Sequence, residues 1–175
     1  FTPYLAHATM EPMGATVMIK DGRVDVWVSS QNFEGSLVSA AAAAGVPQEH
    51  VHVHPVQLGG GLGRRGGSQD FTRMATLIAK EMPNGTPVKM LWTREEDMRQ
   101  GRFHPVTQCK LVGGLDANNN LTGLHMRISG QSILTSVRPE ALVKGMDPAT
   151  FQGLANSGEF EFGYHTIPNL LIDHA

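Results

Sequence analysis

The chain has 175 residues, 41% hydrophobic and 17% charged, with a formal net charge of -2 and a single cysteine. That length suits one domain or one lobe of a larger protein, and the near-neutral charge gives no general reason to expect a nucleic-acid or anionic-membrane partner. One thiol makes no internal disulfide and holds no four-thiolate iron–sulfur cluster, and no apolar run approaches the roughly 18 residues of a membrane-spanning helix.

The chain starts at Phe1 without an initiator Met or a leader and stops at "NLLIDHA", in what reads as a strand, so residues 1–175 are expected to be a single domain or lobe of a longer polypeptide. "ATVMIKDGRVDVWVSS" reads as a hairpin, because apolar and polar residues partly alternate on both sides of Asp21-Gly22. The alanine-rich "NFEGSLVSAAAAAGVP" predicts a helix over roughly 33–44, with Gly45 after its end and Pro47 as a stop. "HVHVHPV" (50–56) alternates as a strand does. Beyond a glycine-rich loop, a helix is predicted over roughly 69–82, with Ser68 as N-cap and Phe71, Met74, Ala75, Ile78 and Met82 as its apolar stripe.

"PVKMLW" reads as a short strand, and Thr93 followed by Glu96 has the form of a capping box. "PVTQCKLVGGLDANNNLTGLHMRISGQ" reads as a long hairpin turned at Asp116–Asn120. Loops with one or two short helices are expected over 136–160, then a strand in "YHTIPNLLIDHA". The predicted fold class is α+β, a mixed sheet with helices packed on one side.

The informative stretch is "VQLGGGLGRRGGSQDF" (56–71), glycines around Arg64-Arg65 between a strand and a helix N-terminus. Three readings compete. A flexible surface loop does not explain that position. A phosphate cradle would use bare N–H groups at a helix start, but the strict nucleotide loop needs Gly-Lys-Ser/Thr, and no lysine lies here. Gly61, Gly63 and Gly66 match G-x-G-x-x-G, but a Rossmann fold wants that motif in its first strand–helix turn, and here a hairpin and a helix come first. The third reading is a cradle for another flat, anionic cofactor.

Four segments in order give the third reading content: "HATMEPMGATV" (7–17), "VWVSSQNFEG" (26–35), "VQLGGGLGRRGGSQDF" (56–71) and "LWTREEDM" (91–98). Together they resemble the molybdopterin-binding large (beta) subunit of the xanthine oxidase family of molybdenum hydroxylases. Arg64-Arg65 and "TREEDM" look most like its isoquinoline 1-oxidoreductase and aldehyde dehydrogenase branch. The resemblance covers about the first hundred residues; the rest matches only in length and turns.

The resemblance implies a molybdenum-cofactor-binding domain and a molybdopterin with Mo, in bacteria often the cytosine dinucleotide form. It also implies hydroxylation of an aldehyde or N-heteroaromatic compound with water-derived oxygen. Electrons would leave through iron–sulfur clusters on a small partner subunit. Gln31 matches a glutamine that hydrogen-bonds a molybdenum oxo ligand; an amide donates without adding charge. Gly60, Gly61, Leu62 and Gly63 match the loop whose backbone approaches the metal and pterin, with Leu62 in place of the usual phenylalanine, which puts substrate preference in doubt. Arg64 and Arg65 replace a common Gly-Lys; they are expected to reach a pyrophosphate or else to face solvent. No side chain is expected to ligate the metal. The family's general-base glutamate is expected beyond Ala175, so this piece alone is expected to be inactive. Glu159 and Glu161 lie too early and carry no supporting motif. The active-site cysteine loop of the carbon monoxide dehydrogenase branch is absent from the sequence. A periplasmic home is favoured by the resemblance alone.

Other residues have plainer readings. His50, His52 and His54 would share one strand face, open to a weak metal site but more simply an exposed face. His7 reads as a satisfied polar residue, and Glu11 as a partner of backbone near the glycine loop. Cys109 reads as a buried small apolar residue, the methionines as core filling, and Glu95-Glu96-Asp97 as a helix start favoured by the dipole. Two other classes stay open, a Rossmann-like dinucleotide domain and a cofactor-free structural or interaction fragment.

Overall fold

The hairpin turns at Asp21 (φ 49°) and Gly22 (φ 82°), the left-handed pair of a type I′ turn. Its arms are β2 (Gly14–Lys20) and β3 (Arg23–Val28), which follow a two-residue strand β1 (Leu5–Ala6). The computed structural model describes residues 1–67, 69–151 and 167–175. It divides into two compact units, one of residues 6–103, the other of residues 1–5 and 104–175.

The larger unit holds a four-stranded mixed sheet in the order β4-β3-β2-β5, with β4 (Val51–Pro55) and β5 (Pro87–Leu91) at its edges. β3 runs parallel to β4, while β2 is antiparallel to both β3 and β5. Register places Ala15, Val17 and Ile19 opposite Val28, Val26 and Val24, so one face is a continuous apolar surface. Helices α1 (Phe33–Ala44) and α2 (Asp70–Lys80) cover that face. Ala40 and Ala41 of α1, and Phe71, Ala75 and Ala79 of α2, join the sheet valines in one buried cluster.

The helices end where side chains and backbone dictate. Asn32 caps α1 by accepting from the Gly35 N–H (2.8 Å), and Gly45 closes it in the left-handed region (φ 76°). α2 is shorter than expected and Gln69 takes its N-cap position; Ser68 lies outside the described residues. Its apolar stripe also differs. Phe71 and Ala75 are buried, joined by Ala79, but Met74, Ile78 and Met82 are exposed, because the small residues one turn apart let the helix lie close to the sheet.

Thr93 caps α3 (Arg94–Gln100) through the Glu96 N–H (3.2 Å). The reciprocal half of a capping box is missing, since Glu96 accepts from Gln100 instead (2.9 Å). A two-residue strand β6 (Phe103–His104) follows.

In the second unit, β7 (Thr107–Leu115) and β8 (Leu121–Gly130) form the long hairpin, and β9 (Asn169–His174) adds to β8 in parallel. Asp116 builds the turn by accepting from the N–H groups of Asn118 (2.8 Å) and Asn120 (2.9 Å). Cys109 is exposed rather than buried, because nearly all of β7 is uncovered. Helix α4 (Ile133–Val137) begins before the range where short helices were expected, and 3₁₀ turns at Pro139–Ala141 and Pro148–Phe151 fall within it. Glu159 and Glu161 lie outside the described residues. No helix among the described residues is long and apolar enough to cross a membrane.

Candidate cofactor site

The glycine loop does not hang free. It lies against three segments of its own unit: the turn Thr9–Pro12, the stretch Ser29–Gln31 that follows β3, and the start of α1. Backbone bonds close it from both ends. Glu11 N–H donates to Gly59 O (3.0 Å), and Gln31 N–H donates to Arg65 O (3.2 Å).

Gln31 reaches across the loop. Its Oε1 accepts from the Gly63 N–H (3.0 Å), which fixes which end of the amide is which. Its Nε2, with two N–H donors, has no partner among the described residues, and the residue is exposed. Gly61 leaves room for this placement of the Gln31 side chain. A Cβ there would lie 2.4 Å from Gln31 Cδ, far inside contact distance. Gly60 (φ 105°) and Gly63 (φ 91°) take conformations that other residues rarely adopt. Between them Leu62 is also left-handed (φ 51°) and 64% exposed.

The arginines behave differently from the expectation. Arg65 has no exposed surface, and every N–H of its guanidinium is engaged by protein. Nε donates to Gly60 O (3.0 Å), Nη1 to Ser29 O (3.0 Å) and Ser29 Oγ (2.7 Å), and Nη2 to Glu11 O and Glu11 Oε2 (both 2.9 Å). Burial pushes its pKa down, opposed by the nearby Glu11 and Asp97 charges; an arginine stays protonated even so. Arg64 is 4% exposed and pairs in bidentate fashion with Asp70 (3.0 Å to each oxygen) beside the Trp92 ring. Neither guanidinium faces solvent. A pyrophosphate role for Arg65 would need donors that Gly60, Ser29 and Glu11 already occupy.

Glu11 partners the loop backbone as expected, accepting from the Gly59 N–H (3.1 Å) as well as from Arg65. A buried carboxylate, Asp97, accepts from Arg94 (2.8 Å) and lies 3.8 Å from Arg64 Nε. Arg94 in turn donates to Thr9 O and Met10 O, so α3 pins the same turn that Arg65 grips from the other side. Sequence reasoning did not find this network, nor Asn32, whose amide links the α1 cap to Gly66 O (3.1 Å), nor Gln69, which donates to Arg65 O (2.9 Å). The one available signal was that two charged residues flanked by glycines have few side chains nearby to screen them.

The histidines disperse. His50 lies in a 3₁₀ turn (Gln48–His50), not on β4, so the three do not share a strand face. His54 stacks on Trp27 (centroids 4.8 Å apart) and bonds Asp25 (2.7 Å). His7 is a satisfied polar residue, with Nδ1 2.7 Å from Arg102 O. No group of three or more potential metal-ligating side chains occurs among the described residues.

The molybdenum cofactor can be tested against this geometry. The unpartnered Gln31 amide nitrogen and the glycine backbone at Gly60, Gly61 and Gly63 suit a polar, anionic, planar group approached at backbone distance. The arginines do not suit its phosphate end.

Known proteins agree with the fold and its assignment. The chain is 29% identical over 153 residues to a membrane-bound aldehyde dehydrogenase [pyrroloquinoline-quinone] of Gluconacetobacter polyoxogenes, covering 87% of this chain and 19% of that protein. It is 27% identical over 138 residues to the isoquinoline 1-oxidoreductase beta subunit of Brevundimonas diminuta, covering 76% and 17%. The chain thus spans less than a fifth of either relative's length. The crystal structure of quinoline 2-oxidoreductase from Pseudomonas putida 86 superposes with a TM-score of 0.60 at 17% identity, over 74% of this chain and 16% of that one, a likeness of fold. The molybdopterin cofactor-binding domain family matches residues 1–143, a range that contains the hairpin, both covering helices and the whole glycine loop. This chain belongs to that family.

Proposed function

We propose that the chain is part of a molybdenum-dependent oxidoreductase that hydroxylates an aldehyde or an N-heteroaromatic compound, and that its glycine loop supplies part of the cofactor cradle. The observation that carries this is the Gln31 amide, held by the Gly63 N–H with its own N–H donors unpartnered among the described residues, beside a loop where a Cβ at Gly61 would push that side chain aside. Family membership and relatives named for aldehyde and isoquinoline oxidation support it.

Bound molybdopterin would supply the two-electron oxidation and the transfer of water-derived oxygen. Gln31, Gly60, Gly61, Leu62 and Gly63 would hold it. Gln31 offers neutral donors, which favour an electron-rich ligand without adding positive charge. The loop offers glycine backbone at Gly60, Gly61 and Gly63 that a flat group can approach closely. Arg64 and Arg65 shape the loop instead of meeting phosphate. The general-base glutamate belongs to a part of the protein beyond Ala175. The cytosine dinucleotide form, an iron–sulfur small subunit and a periplasmic home complete the proposal on family resemblance.

The test is to purify the full-length protein from a host that makes the cofactor, then assay molybdenum, released cytidine monophosphate and pyrroloquinoline quinone. About one molybdenum and one nucleotide per chain is expected. Quinone without molybdenum would instead favour the cofactor in the Gluconacetobacter relative's name and refute the molybdenum reading.

A further inference from the structure

Arg65 is fully buried with all three guanidinium nitrogens bonded to protein, and it lies beneath the glycine loop it bonds at Gly60. One planar fork collects Gly60 O, Ser29 O, Ser29 Oγ, Glu11 O and the Glu11 carboxylate, at 2.7 to 3.0 Å. Pro12 O stands at the edge of range (3.5 Å). Phe71 of α2 lies against it, with the guanidinium carbon 5.9 Å from the ring centroid. These acceptors come from three stretches of chain, and one of them, Gly60, opens the candidate cradle.

The backbone of the same residue holds the other side. Arg65 O accepts from Gln31 N–H (3.2 Å), Ser30 Oγ (3.2 Å) and Gln69 Nε2 (2.9 Å). Gln31 therefore leaves the sheet from a position tied to Arg65, and its amide returns over the loop to Gly63.

We propose that Arg65 is a positioning residue: its buried guanidinium sets where the Gly60–Gly63 backbone and the Gln31 amide stand, and so how tightly the loop closes on the molybdenum cofactor. This rests on the molybdenum reading above. The chemistry requires arginine. Its donors diverge from three nitrogens in one plane, whereas a lysine presents three from a single atom. Lysine there leaves Gly60 O or the Ser29 and Glu11 acceptors without a donor in a buried place, and the loop relaxes to find water.

The experiment uses the full-length protein with Arg65→Lys, and Ser29→Ala as a milder variant that removes one acceptor. Amide exchange is followed on protein from molybdate-free growth; molybdenum content and the Mo(V) paramagnetic resonance spectrum after dithionite reduction are followed on protein from molybdate-supplied growth. Arg65→Lys is expected to speed exchange in residues 57–67 but not in residues 24–28. It is also expected to lower molybdenum per chain by about tenfold, the usual scale for losing a group that orients a metal site's contacts, and to shift the Mo(V) spectrum of what remains. Ser29→Ala should move all three readouts in the same direction by less, and it decides the question by itself if Arg65→Lys does not accumulate folded. Molybdenum in the wild type with unchanged content and spectrum in the variants overturns the positioning role and leaves the molybdenum reading standing. A wild type without molybdenum overturns both.

Discussion

Two side chains carry predictions at the scale of single residues. Asp25 is buried at the centre of β3, where it accepts both Arg23 nitrogens (2.8 Å each) and bonds His54 (2.7 Å). The Arg23 hydrogen bonds, helped by His54 and opposed by burial, lower its pKa to about 2. A carboxylate whose folded pKa lies below its unfolded value adds stability that is present above the unfolded value, near 3.9, and lost as pH falls through the folded one. Acid titration monitored by Trp27 fluorescence should therefore show wild type losing stability between about pH 4 and pH 2, and Asp25→Asn should lack that component. Gln31 carries the second. Gln31→Glu keeps an oxygen for the Gly63 N–H but turns an acceptor and a negative charge outward. Stability should change by under about 0.5 kcal/mol, as for an exposed substitution, while bound molybdenum falls sharply. A variant that keeps its molybdenum would remove Gln31 from the site. Its place beside the loop was legible in sequence through family resemblance, whereas the burial of Arg65 was not. A sequence records a charge but not the partners that make it tolerable, and those of Arg65 come from residues 11, 29 and 60.

Among the elements, those announced by local chemistry were legible. The Asp21-Gly22 turn, the alanine-rich α1 with Gly45, and the Asp116 turn all depend on contacts within a few residues. What failed depended on tertiary packing. The outer side of α2 carries Met74 and Ile78, yet only packing decides that Phe71, Ala75 and Ala79 are the residues that meet the sheet. Cys109 alternates within β7 as a core residue would, but burial needs an opposing layer, and β7 is nearly uncovered. Asn32 ties this scale to the site, since its side chain both caps α1 and reaches Gly66 O. Asn32→Ala should cost about 1 kcal/mol or somewhat more, the cap plus a lost side-chain bond. Chemical denaturation measures it, and a loss much below 0.5 kcal/mol would mean that water replaces the cap. Phe71→Ala, in contrast, empties a fully buried position of α2 in the cluster shared with the sheet and should cost about 3–5 kcal/mol.

For the whole molecule, the division into two units places every part of the candidate cradle in residues 6–103. The α+β class follows from the alternation of hairpin, helix, parallel strand and helix, which the sequence order already implied. The division itself was not legible, because no linker-like composition marks the boundary near His104. The loop, the Thr9–Pro12 turn, the stretch that follows β3 and the start of α3 act together, joined by Arg65, Glu11, Arg94 and Asp97. This assembly holds the backbone of Gly60, Gly61 and Gly63 where a molybdenum cofactor would lie against it. The most direct measurement is molybdenum per chain in full-length Gly61→Val beside wild type, with circular dichroism as a check on folding. A side chain at Gly61 must displace Gln31 from 2.4 Å. The expected result is about one molybdenum in wild type and a loss of tenfold or more in a folded variant. A folded Gly61→Val protein that keeps its full molybdenum would contradict the claim.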